Sequence, residues 1–97
     1  INYYKEASKD AEAIDLKSDI ARIALGLGLV YERTGQLEEA LDQYLLSSER
    51  YGSIGEQDRE AHSLNNAAGA QLDLGRHSDA LDTYRSGTVV YQSRTPQ

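Results

Sequence analysis

TGQLEEALDQY (Thr34–Tyr44) and LGRHSDALDTY (Leu74–Tyr84) share a Gly, then Ala-Leu-Asp, then Tyr at fixed positions, forty residues apart. Agreement at that offset runs through the chain. Tyr4, Tyr44 and Tyr84 form one triplet; Ile1, Leu41 and Leu81 form another. Ile14 pairs with Ile54, Ala21 with Ala61, Tyr51 with Tyr91, and Gly28 meets Ala68, small for small. A fixed period of this length marks a repeat architecture, in which each unit buries its apolar face against its neighbours. Two units follow, Ala21–Glu60 and 61–97, preceded by 1–20 as the second half of a truncated unit.

Each unit holds two helical patterns. Ala21, Ala24, Gly28 and Tyr31 recur at steps of three and four, flanked by Ile20 and Leu27. Leu37, Ala40, Leu41, Tyr44, Leu45, Ser48 and Tyr51 do the same. Such spacing places residues on one face of a helix. The second unit repeats the scheme with Ala61, Leu64, Ala68 and Leu72, then Ala80, Leu81, Tyr84, Thr88 and Tyr91. No strand-like alternation persists. The pattern predicts five helices, at about 1–13, 17–33, 37–52, 57–73 and 77–92.

Turn chemistry falls between these stretches. Gly35 and Gly75 follow an apolar stripe, where a left-handed glycine closes a helix without steric cost. Gly52 and Gly55 bracket Ile54 in the link between units. His77 and Ser78 mark an N-terminal turn, and Asp79 suits the positive end of that helix. Gly28 and Ala68 are expected to let the two helices of each unit approach closely, near Ala40 and Ala80.

The 97 residues make one domain, with seven Tyr, no Phe, no Trp and no Cys. A net charge of −6 disfavours nucleic acid and anionic membranes, both of which call for a basic surface. Without Cys there are no disulfides, thiolate nucleophiles or sulfur-ligated zinc. No apolar run approaches the roughly 20 residues that span a bilayer, and no signal-like segment opens the chain, which leads to the expectation of a cytoplasmic location. The opening Ile1, in mid-pattern, reads as the start of a fragment.

Catalytic constellations are missing from the pattern. His62 and His77 have no HExxH-type companions. The carboxylates Glu38, Glu39, Asp42, Asp79 and Asp82 lie on polar helix faces rather than across a cleft. Ser47, Ser48, Ser53, Ser63 and Ser93 lack a GxSxG setting. GLGLVYERTG (Gly26–Gly35) lies in a helical stripe and has no Lys-Ser/Thr end for phosphate. The expectation is a chain that is not an enzyme and takes no cofactor or metal.

With LGLVY (Leu27–Tyr31), the turn Gly35, and Ala40 followed by Tyr44, the chain resembles the tetratricopeptide repeat family. Its forty-residue period is similar to the longer variant of kinesin light chains and the Leu-Gly-Asn-repeat adaptors. It departs from the usual pattern at Ala24 and Leu64, where a Trp is common, and at Gln71, where a Tyr is expected. The resemblance implies an all-α fold of antiparallel helix-turn-helix repeats, stacked as a short right-handed α-solenoid of two and a half repeats. It also implies a groove lined by the first helix of each unit. The stretch SLNNAA (Ser63–Ala68) places Asn66 where the longer variant bonds a peptide backbone, with Gly26 as its equivalent in the first unit.

The groove candidates are therefore Arg22, Leu29 and Arg33 in one unit and His62, Asn65, Asn66, Gly69 and Asp73 in the next, beside Leu25 and Gly26. An Asn amide both donates and accepts, so it can bond any extended backbone; the alternative is that both Asn are exposed polar filler. The leading functional expectation is a scaffold binding a peptide or protein segment, with Arg22 and Arg33 on acidic side chains. Alternatives are a spacer that self-associates by end-to-end stacking of uncapped repeats, giving a homo-oligomer, or a regulatory segment of a larger signalling protein.

Overall fold

The computed structural model describes residues 2–94, with side chains from 13 to 92. It is helical throughout this range apart from three short turns. The elements are α1 (Asn2–Arg33), α2 (Leu37–Ser53), α3 (Gln57–Asp73) and α4 (His77–Arg94). The body is a thin slab of 55 × 38 × 14 Å. Each helix packs on the next in chain order, so α2 lies between α1 and α3, and α3 between α2 and α4.

Three turns of one design set this order. Gly35, Gly55 and Gly75 have φ of +79°, +77° and +81°. At each, the glycine N–H bonds a carbonyl three residues back: Glu32, Gly52 and Leu72. The following residue reaches five back, from Gln36 to Tyr31, Glu56 to Tyr51 and Arg76 to Gln71, at 2.8–3.0 Å. This pair of bonds satisfies carbonyls that a helix end otherwise leaves open. The carbonyls of Gln36, Glu56 and Arg76 then accept the first bonds of the next helix, from Ala40, Glu60 and Ala80. One residue thus closes a helix and opens the next.

The five-helix expectation fails at one place. The segments expected at 1–13 and 17–33 are a single 32-residue helix, α1. Position 15, forty before Gly55, is Asp. A left-handed conformation there carries the Cβ penalty that glycine avoids, so the helix continues instead of turning. At about 1.5 Å per residue α1 is close to 48 Å long. Ile14 and Leu16 are exposed on it.

The core is built of small residues around two tyrosines. Ala40, Leu41, Tyr44, Ala67 and Ala70 form its centre, with Leu25, Tyr31 and Leu74 packed against it. Leu25 thus lies at the core edge rather than off the apolar stripe. Gly28 makes the close approach expected of it, but to a different neighbour: a Cβ there would come within 2.5 Å of the Tyr44 ring, not Ala40. A methyl at this point would overpack, at roughly 1–3 kcal/mol. Gln71, in the place of Tyr31, is buried with its Oε1 unbonded. Leu45 and Leu72, expected on the buried stripes, are exposed.

A buried hydroxyl pair ties three helices together. Ser47 Oγ on α2 donates to the Ala21 carbonyl of α1 at 2.8 Å. Ser63 Oγ on α3 lies 3.0 Å from Ser47 Oγ. Since the single Ser47 proton points to Ala21, the Ser63 hydroxyl donates to Ser47. Both serines are fully buried. At the surface, Arg76 in the α3–α4 turn pairs with Glu38 at the start of α2.

Candidate functional site

Helix geometry divides α3 into three faces. Ser63, Ala67 and Ala70 are buried toward α2. Ala61, Leu64 and Asn65 lie toward α4, where Ala61 and Asn65 meet Gly87, Thr88 and Tyr91 around a crevice of about 180 Å³. The remaining face carries His62, Asn66, Gly69 and Asp73, at i, i+4, i+7 and i+11. At 100° per residue these four fall within one narrow stripe, directed away from the layer formed by α2 and α4. His62 and Asp73 are exposed, and Asn66 and Gly69 partly so.

Helix α1 carries the same stripe forty residues earlier: Arg22, Gly26, Leu29 and Arg33, all exposed. Both helices pack on α2, so the two stripes share one face of the slab. Arg22 bonds Asp19 on its own helix at 2.6 Å. Arg33 lies in the last turn of α1, where a cation is also favoured by the helix dipole. Of the eight residues named from sequence, seven lie along these stripes. Asn65 is turned one step toward α4, with its Oδ1 close enough to Gly87 that an added Cβ would be 3.3 Å away.

Gly26, which the sequence sets beside the groove candidates as the counterpart of Asn66, completes the α1 stripe. Neither Gly26 nor Gly69 is required by packing, since a Cβ at either would meet nothing within 4 Å. A glycine inside a helix costs about 0.5–1 kcal/mol against alanine. Two such costs, on one face and without internal steric cause, leave bare backbone on the outward surface. The face presents basic ends on α1, amide and imidazole groups on α3, and one apolar side chain, Leu29. It has donors and acceptors for polar recognition.

The Tyr44 phenol is pushed up to about 12, first by burial and then by the nearby charge and hydrogen bond of Glu32. Its hydroxyl donates to Glu32 Oε1 at 3.2 Å.

The family model for the tetratricopeptide repeat matches residues 19–93. The chain belongs to that family, whose members generally serve as non-catalytic scaffolds for protein–protein interaction. No curated protein and no solved structure showed significant similarity to it. Among the described residues, no helix is long and apolar enough to cross a membrane.

Proposed function

We propose that the chain is a non-enzymatic scaffold that holds an extended peptide or protein segment across the two outward stripes. The observation that carries this reading is the pair of helix glycines, Gly26 and Gly69, with open space above them. They leave room for a ligand backbone to approach the helix surface closely. Asn66, one turn before Gly69, supplies a donor and an acceptor to that backbone. Asn65 flanks it from the α4 side. Arg22 and Arg33 face acidic side chains of the ligand, while Leu29 offers an apolar contact and His62 and Asp73 bound the α3 stripe. The unit division at residue 60 fits this reading, because each unit then contributes one stripe.

The test begins with selection of peptides from a random library by the intact chain, followed by calorimetry on the best binder. Asn66→Ala is expected to weaken binding several-fold, and Gly69→Leu to weaken it more, with helicity unchanged by circular dichroism. Gly69→Ala should raise folding stability by about 0.5–1 kcal/mol. Equal affinity for wild type, Asn66→Ala and Gly69→Leu would retire the proposal.

A further inference from the structure

We infer that the segment held between the two stripes carries an acidic, a basic and an apolar residue in consecutive order, laid as an extended strand over the C-terminal ends of α1 and α3. This rests on the peptide-holding reading above and names the ligand chemistry it calls for. Both helices end on a charge, α1 with Arg33 and α3 with Asp73. The two residues stand at equivalent places, each two positions before a glycine of positive φ, Gly35 or Gly75. Helix α2 returns the chain across the slab and α3 retraces it, so the two ends lie at one edge. Both residues are exposed. The ion pairs among the described residues include neither: Arg22 pairs with Asp19, Arg50 with Glu49, Arg59 with Glu56 and Arg76 with Glu38. Arg22 is thus answered on its own helix, while Arg33 and Asp73 keep unmatched charges of opposite sign.

The spacing along the helices selects the form of the ligand. Leu29 on α1 and Gly69 on α3 precede the two charges by four residues, a rise of about 6 Å. Two residues of extended chain span about 6.7 Å, and side chains two apart point to the same side. A strand between the stripes therefore matches both helices at once. Residues turned toward α1 meet Arg33 and then Leu29; those turned toward α3 meet Asp73 and then Gly69. Charge complementarity sets a carboxylate on Arg33 and a cation on Asp73. Leu29, 40% exposed, takes the apolar residue two along from the acid. Gly69, where an added Cβ would meet nothing within 4 Å, leaves room for the strand itself. The next step, to Gly26 and Asn66, is only three residues, about 4.5 Å. That falls short of a further pair of side chains, and Asn66 meets backbone there instead.

Selection from a random peptide library by the whole chain tests this. The binders should share the order acid, base, apolar, read in one chain direction. The best binder is then synthesised beside a copy with its acid and base exchanged. Wild type should bind the selected peptide several-fold more tightly by fluorescence anisotropy. The double variant Arg33→Glu, Asp73→Lys should reverse that preference. Both substitutions are at exposed helix ends, and circular dichroism confirms that the variant is folded. Binders that lack the acid–base–apolar order overturn the inference and leave the peptide-holding reading standing. So does a folded double variant that fails to reverse the preference. A library that yields no binder sinks the reading and the inference together.

Discussion

At the scale of single residues, the buried hydroxyls and the buried phenol govern stability. Ser47 accepts from Ser63 and donates to Ala21, so Ser47→Ala strands the Ser63 hydroxyl in a closed space. The expected cost is about 1–3 kcal/mol, the penalty for an unmet buried polar group. The double variant with Ser63→Ala should cost less than the two single losses combined, because no stranded donor remains; urea denaturation of the four proteins measures this. Tyr44 makes stability depend on alkaline pH. In the unfolded chain its phenol ionises near the ordinary value of about 10. In the folded chain it holds its proton up to about 12. Between these values the unfolded state binds fewer protons, so stability falls as pH rises. The Tyr44 contribution is complete below the lower value and lost as pH climbs through the higher one. Tyr44→Phe should cost about 1 kcal/mol or less at neutral pH and show a shallower alkaline decline, read from urea midpoints on either side of pH ~10.

At the scale of elements, the turns carry the design. Gly35, Gly55 and Gly75 all have positive φ, and an added Cβ at any of them would meet nothing within 4 Å. The cost of Gly→Ala at each is therefore conformational alone, about 1–2 kcal/mol and similar at the three sites. Thermal denaturation of the three variants checks that similarity. These glycines also explain what was legible beforehand. The second, third and fourth helices were placed within two residues of their observed ends, because periodicity and glycine agree there. The break expected near residue 15 rested on the repeat alone, and Asp15 lacks the conformational freedom the turn demands. The stripe positions were reached by removing the apolar stripe from each first helix, a procedure that also picked up Leu25, which packs against the core, and Asn65, which turns toward α4. The buried role of Ser47 was not legible, since a serine within an apolar stripe reads equally as tolerated filler. Its signal was position, one turn after Tyr44 and one before Tyr51, both of which are buried. The position of Asn65 beside α4 was equally hidden, because it depends on Gly87, twenty-two residues away in sequence.

At the scale of the whole molecule, protection is graded from the middle outward. Helices α2 and α3 are each packed on two sides, whereas α1 and α4 lie at the ends of the row. In such a linear array local stability follows the number of neighbouring interfaces. Hydrogen exchange should therefore be slowest in α2 and α3 and faster in α4; equal protection of all four helices would show an all-or-none unit instead. The connectors bear on how such a molecule changes length. Because Gln36, Glu56 and Arg76 each finish one helix and start the next, the backbone bonds of every joint are made among a few adjacent amino acids. A duplicated stretch of forty residues brings its own hinge with it, so growth by copying leaves the pitch of the existing rows as it was.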